Sequence, residues 1–171
     1  MHRSFRACAA ALILGLAAQA ARGDEVDDAA ALLRKGAADE ALTRIDTFLK
    51  SNPKDARGRF LRGVILTEQN RSDEAISIFR ALSEEMPELA QPHNNLGVLY
   101  AAQGRYDDAR RVLEMAILAD PKYALAYENL GDVYARMAGQ SYQRAGKLDP
   151  KNLSVPGKSK LIDQLLTPAP R

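Results

Sequence analysis

The sequence predicts an all-α chain of stacked helix-turn-helix units, and three observations carry that prediction. Apolar residues recur three and four apart along most of the chain after residue 24, the spacing of a helix face. The same layout returns at one fixed period, so the chain reads as a stack of units. Three tracks hold that period in phase: Gly63, Gly97 and Gly131; Ala41, Ala75 and Ala109; Pro53, Pro87 and Pro121. Glycine inside a helix costs about 1 kcal/mol relative to alanine, so three at one register ask for a steric reason. A close approach of two helix backbones, which a missing β-carbon permits, supplies it.

Composition agrees. The 171 residues are 46% hydrophobic and 27% charged, as in one globular or solenoid domain, with only 6% aromatic residues. Small side chains at close helix contacts, rather than large aromatic anchors, should hold such a fold together.

The chain opens with a segment of another kind. Arg3 and Arg6 precede an apolar run over 7–18, followed by Ala18-Gln19-Ala20. The run is too short to cross about 30 Å of hydrocarbon as a helix. A basic start, a short apolar run and small residues match a cleavable secretory leader over 1–20, cut after Ala20 or else after Gly23. Arg3 and Arg6 account for the whole formal charge of +2, so the mature chain is neutral and lacks the footprint of a nucleic-acid binder. Cys8, the single cysteine, leaves with the leader, and a cysteine-free chain suits an oxidising compartment.

The elements then follow in order. A short helix over 24–35 carries Val26, Ala30 and Leu33, Gly36 breaks it, and 39–50 resumes with Ala41, Leu42, Ile45, Phe48 and Leu49. Asn52-Pro53 ends that helix, since a residue before proline avoids the α region. The second unit, 56–89, turns Phe60, Leu61, Val64 and Ile65 inward on its first helix. Its turn is Asn70-Arg71-Ser72, with Ser72 as N-cap of a helix bearing Ala75, Ile76, Phe79 and Leu82. The third, 90–123, is the best formed, with Pro92 in a first helical turn and Gly104 at the reversal. The fourth, 124–152, departs from the pattern. The interval from Pro121 to Pro150 is five positions shorter than that from Pro87 to Pro121, and the missing ones are those of the turn. Tyr127, Leu130, Tyr134, Met137, Ser141, Ala145 and Leu148 keep helical spacing throughout, predicting one long helix, straight or kinked, over about 123–148. After the breaker Ser154-Val155-Pro156-Gly157, Lys158 to Thr167 carries Leu161, Ile162, Leu165 and Leu166 as an apolar stripe, and 153–167 reads as a capping helix over the open face of the stack. The tail, 168–171, is expected to be disordered.

These residues resemble the tetratricopeptide repeat (TPR) family, whose unit has the same length as the period here and small residues at its positions 8 and 20. The third unit matches through Leu96, Gly97, Tyr100, Ala109, Leu113, Ala116 and Pro121. The second matches through Gly63, Leu66, Ala75, Phe79 and Pro87, but has Arg62 where a leucine is expected. The first, 22–55, matches through Ala29, Leu32, Ala41, Ile45 and Pro53. The resemblance spans about 22–152 and implies a right-handed solenoid of about three and a half units. It also implies a concave groove, lined by the first helix of each unit, that holds a peptide or protein segment. The groove positions fall on Arg57, Phe60, Val64, Gln91, Asn94, Asn95, Val98, Leu125, Glu128, Asn129 and Asp132.

Asn95 and Asn129 sit one repeat apart, each before a Leu-Gly pair, as in the asparagine ladder of some TPR superhelices. An amide both donates and accepts, so it can match a peptide backbone whatever its sequence. The two are either rungs of such a ladder or ordinary occupants of that position, and Leu61 stands there in the second unit. The basic clamp of chaperone-binding TPR proteins is disfavoured, since its lysine and asparagine positions fall on Val26 and Ala30.

Other constellations carry little. Gly157-Lys158-Ser159 lacks the upstream glycine and strand of a phosphate-binding loop. His93, the one mature histidine, has no second histidine or cysteine to share a metal with and occupies a packing position. Asp27-Asp28 and Asp107-Asp108 complement helix dipoles, and Glu84-Glu85 is solvated. No acid, base and nucleophile converge, so neither an enzyme nor a cofactor is expected. The expectation is a non-enzymatic adaptor, exported to a Gram-negative periplasm, that binds a peptide or protein of the envelope. The alternative is a homo-oligomerising module using the fourth unit or the C-terminal helix.

Overall fold

The computed structural model describes residues 25–167; the expected leader and tail lie outside them. The described residues form eight helices and no strand: α1 over 25–34, α2 Ala38–Ser51, α3 Ala56–Glu68, α4 Ser72–Glu85, α5 Ala90–Ala102, α6 Tyr106–Ala119, α7 Ala124–Leu148 and α8 Ser154–Leu166. The fold class is the expected one, all-α and built of helix-turn-helix repeats. Contacts divide the chain into two compact units, each larger than one sequence repeat, a first up to Ile78 and a second from Phe79, the division falling inside α4.

One device reverses the chain within each of the first three repeats. Gly36, Asn70 and Gly104 stand one repeat apart, and each has a left-handed backbone, with φ of 79°, 59° and 73°. In each case the following N–H reaches back five residues, from Ala37 to the Leu32 carbonyl, Arg71 to Leu66 and Arg105 to Tyr100, at 2.9–3.0 Å. This is the Schellman closure, which satisfies carbonyls that a helix end leaves bare. Glycine takes that conformation freely, and asparagine is among the residues that tolerate it best.

In the first unit the core gathers Val26, Ala29, Ala41, Ile45, Phe48 and Ile65. On α1 the buried pair is Val26 and Ala29, while Ala30 and Leu33 are only partly covered, so the stripe lies one residue from where the spacing put it. On α3, likewise, Ile65 and Leu66 are fully buried, but Phe60, Leu61 and Val64 only partly. The unexpected Arg62 has a use: its Nε donates to Asp46 Oδ1 of α2 at 2.6 Å. An ion pair fastens α3 to α2 where the repeat pattern has leucine packing. The side chain of Asp55 caps α3 by accepting from the Gly58 N–H at 2.8 Å. Ser72 is not the cap of α4. The first helical bond runs from the Ala75 N–H to the Arg71 carbonyl, so Arg71 holds that position and Ser72 begins the helix.

In the second unit the fully buried side chains include Phe79, Leu82, Leu113 and Val133. Gly97 on α5 shows why that register needs glycine: a β-carbon there would lie 2.6 Å from Leu113 Cγ and 2.9 Å from its Cδ2, on α6. Leu113 is itself fully buried and has nowhere to retreat. Gly131, at the same register one repeat on, meets nothing within 4 Å. The steric reason holds for Gly97 and fails for Gly131, because the fourth repeat has no antiparallel second helix beside it.

That absence follows from α7, which runs 25 residues without interruption, as the spacing predicts. The left-handed position one repeat after Gly104 is Ala138, and it continues the helix. The chain leaves α7 through Asp149-Pro150-Lys151, a copy of the Asp120-Pro121-Lys122 turn that precedes it. In each turn the aspartate Oδ1 accepts from the N–H two residues on, at 3.2 and 2.9 Å respectively. α8 then returns antiparallel to the second half of α7: a β-carbon at Gly146 would lie 3.3 Å from Val155, and one at Gly139 3.3 Å from Ile162. The expected apolar stripe of α8 is split. Val155 is buried and Ile162 and Leu166 partly so, whereas Leu161 and Leu165 face solvent.

The two equivalent glycines should respond with opposite signs. Gly97→Ala forces an overpacked contact and should lower stability by about 1–3 kcal/mol. Gly131→Ala gains helix propensity in open space and should raise stability by up to about 1 kcal/mol. Urea titration followed by circular dichroism measures both, and equal responses would show that the fourth repeat is packed like the third.

Candidate functional site

The groove positions read from the sequence fall in both units. In the first, Arg57 is committed to an ion pair with Asp27 at 2.7 Å, and Phe60 and Val64 are partly buried on α3. The better-formed site lies in the second unit, where α5 and α7 flank a cavity of about 360 Å³. Val98, Ala101 and Ala102 of α5 form one wall; Asn129, Asp132 and Arg136 of α7 form the other, with Leu113, Val133 and Tyr106 at its base. The cavity is therefore apolar on the α5 side and polar on the α7 side. Val98 is 41% exposed, a large side chain that leaves apolar surface uncovered at the mouth.

Of the expected residues the cavity brings together Val98, Asn129 and Asp132. Gln91, Leu125 and Glu128 are exposed on the same two helices but do not line it. Asn94 is turned inward and is only 3% exposed. Its amide oxygen accepts from Asn129 Nδ2 at 2.8 Å, which ties α5 to α7 across the floor between them. A buried amide left without partners is costly, so Asn129 satisfies Asn94 as well as facing the groove. Asn95 donates to the Gln91 carbonyl of its own helix at 2.9 Å. Both ladder amides thus already spend a donor within the protein, and what each still offers a ligand is its carbonyl oxygen and its second N–H.

Arg136 and Tyr106 were not among the expected residues. Arg136 stands seven residues after Asn129 and four after Asp132, on one face of α7. That face extends to Arg136 because the helix does not stop where the first helix of a regular repeat stops. The pattern of Tyr127, Leu130 and Tyr134 that reveals the long helix could have revealed the longer wall. Asp132 and Arg136 are exposed and, among the described residues, neither forms an ion pair. Arg105, at the turn below, does: it lies over the Tyr100 ring at 4.0 Å and holds Asp108 at 2.6 Å. The hydrogen bonds from Arg105 and then Arg111 keep the Asp108 carboxyl below its ordinary range.

His93 has a structural place. Buried at 5% exposure, its Nε2 lies 3.2 Å from the Pro87 carbonyl, which can only accept, so that nitrogen carries the proton. Lys158 of Gly157-Lys158-Ser159 lies inside α8 and over the Tyr142 ring at 5.5 Å. Among the described residues no three histidine, aspartate or glutamate side chains are grouped to hold a metal ion. None of the described helices is long and apolar enough to cross a membrane.

The Asn94–Asn129 bond makes a stability test. Asn129→Ala should cost about 1–3 kcal/mol, since it strands a buried amide. In Asn95→Ala only an exposed bond within α5 is lost, and the cost should stay within about 0.5 kcal/mol. Thermal melts of the two single variants separate these; equal melting temperatures would mean Asn94 is satisfied by water instead.

Two family models, both described as tetratricopeptide repeat, match the chain over residues 66–131 and 26–88. No curated protein matches it. Among solved structures the chain is similar to YrrB, a TPR protein with an unusual peptide-binding site, at 30% identity and a TM-score of 0.56. That match covers 58% of this chain and 52% of YrrB, so the chain spans about half of that protein's length. It is also similar to MamA (TM-score 0.60, 21% identity, 80% of this chain and 82% of that one). For pilF of Pseudomonas aeruginosa the values are 0.64, 21%, 84% and 68%. At 21% identity the last two show the fold alone. The matched models, which together run from residue 26 to 131, and the in-phase repeat geometry place the chain in the tetratricopeptide repeat family.

Proposed function

We propose that this protein is a non-enzymatic adaptor of the cell envelope that holds an extended peptide or protein segment between α5 and α7. Proteins of this family are in general interaction scaffolds, and no enzyme family is among the matched models. The observation that carries the reading is the two-sided cavity: the apolar wall at Val98, Ala101 and Ala102 faces Asn129, Asp132 and Arg136. Such a cleft takes an apolar side chain on one side and engages backbone amides and charges on the other. Net hydrogen bonds supply about 0.5–1.5 kcal/mol each, so Asn129, the one ladder amide that lines the cavity, needs the Val98 surface to make useful affinity. The peptide-binding site named for YrrB, which is 30% identical to this chain over the matched region, supports the same reading.

Export is part of the proposal. It rests on Arg3, Arg6, the apolar run over 7–18 and Ala18-Gln19-Ala20. Mass spectrometry of the protein recovered from its own cells should find Ala21 at the N-terminus, or Asp24 if the second site is used. An intact Met1 on a cytosolic protein would overturn export.

Placing a charge on the apolar wall tests the groove. Cross-linking the exported protein in its own cells identifies what it holds, and Val98→Glu should reduce capture of that partner about tenfold or more, the cost of one central contact in an interface. Because Val98 is exposed, its folding should be unaffected. Undiminished capture by this variant would remove the cavity from the reading.

A second reading is favoured by a separate observation. Tyr127, Tyr134, Leu161 and Leu165 are all about half exposed or more along α7 and α8, which suits a self-associating module.

A further inference from the structure

Seven of the ten large apolar side chains exposed among the described residues belong to α7, α8 and the turn between them. Apolar surface gathered at one edge marks a contact site rather than the scatter normal for a surface. On α7 the exposed row is Tyr127, Gly131 and Tyr134. This is the face against which a regular repeat lays its second helix, and Gly131 leaves a niche there with nothing within 4 Å. The preceding repeat shows what such a niche receives: Leu113 of α6 enters at Gly97, with small Ala109 one turn before it. The niche therefore fits a helix with a small residue one turn before a branched apolar one.

α8 carries that pattern on its outer side. Gly157 is followed four residues later by Leu161 and then Leu165, 65% and 66% exposed, and Gly157 too has open space above it. Within its own chain α8 packs on the second half of α7, through Val155 and Ile162, so this outer row has no partner there. Charges agree. Lys158, which lies over the Tyr142 ring of its own chain at 5.5 Å, and Lys160 flank the α8 row, and Asp163, the single acid of α8, lies away from it. Glu128 borders the α7 row on one side. Glu114, on the other side, accepts from Tyr134 Oη at 3.3 Å and is already paired with Arg110 at 2.9 Å, so Glu128 is the acid that remains to meet the lysines.

We propose that the open half of α7 is covered by α8 of a second copy of this chain, with Leu161 entering the niche at Gly131. The arrangement is isologous: each chain gives its α8 and receives its partner's, so one two-fold contact covers both exposed rows. The proposal rests on the self-association reading and names the surfaces that would carry it.

Sedimentation velocity over a range of concentrations, on protein made from the full-length sequence, tests whether the chain pairs. Gly131→Leu tests where. The new side chain projects into open space and replaces a helical glycine, so the monomer should melt no lower. It fills the niche, however, and should raise the dimer dissociation constant about tenfold or more. Lys158→Glu should weaken pairing, and Glu128→Lys in the same chain should restore it. In a Cys8→Ser background, mixing a Gly131→Cys chain with a Leu161→Cys chain should give a reducible dimer. Replacing the second chain with Asp163→Cys should not. A dimer that survives Gly131→Leu and forms no 131–161 disulfide would overturn this pairing and leave self-association standing through another surface. A monomer at every concentration would overturn both, whatever other helix the open face then captured.

Discussion

The left-handed residue that recurs once per repeat governs everything else in this chain. The three-residue reversals inside the first three repeats each place one residue at positive φ: Gly36, Asn70 and Gly104. The reversal at Gly104 lays α6 along α5, and only then does a small residue at Gly97 become necessary, because Leu113 is brought to within contact of its backbone. Ala138 stands at the next such position, and five residues of the turn are missing as well. An alanine there would lose about 1–2 kcal/mol in the left-handed region, and no chain remains to make the reversal. The helix continues as α7, the fourth repeat never folds back, and Gly131 keeps the mark of a packing that does not occur.

Much of this was legible in the sequence because period and chemistry agreed at several levels at once. The tracks through Gly97, Ala109 and Pro121, the breakers at Gly36 and Gly104, and the unbroken spacing from Tyr127 to Leu148 each point to the elements found. What the sequence did not show was which face of a residue's surroundings would be filled. Phe60 and Val64 carry the right spacing for a core but are only partly covered, while Leu66 is buried. Leu161 and Leu165 look equivalent to Ile162 and Leu166 until the position of α8 beside Gly139 and Gly146 is known. Arg62 reads as a defect until Asp46 appears 2.6 Å away on the neighbouring helix.

The candidate site was legible in part for a similar reason. Val98, Asn129 and Asp132 sit at positions that any regular repeat would turn toward a groove. Asn94 precedes Asn95 by one residue, which on a helix is a rotation of about 100°, enough to carry it from the surface to 3% exposure. Its bond to Asn129 could not be read from either residue alone, since the two lie 35 residues apart and at different positions of their repeats. Arg136 was hidden by the assumption that the wall ends with a regular first helix.

The uninterrupted length of α7 has one more consequence. Its 25 residues make a rod of about 37 Å at the standard rise per residue. One face of that rod carries Asn129, Asp132 and Arg136, another the open row at Tyr127 and Tyr134, and its far half seats α8. A regular repeat would divide these duties between two helices joined by a turn that can absorb movement. Here they share a single hydrogen-bonded body, so if the groove and the edge are occupied as proposed, any tilt or roll of α7 favoured at one is felt at the other. Linkage then runs in both directions: whatever factor groove occupancy applies to binding at the edge, edge occupancy applies to the groove. Loss of one turn has placed on a single helix two surfaces that a regular repeat keeps on separate ones.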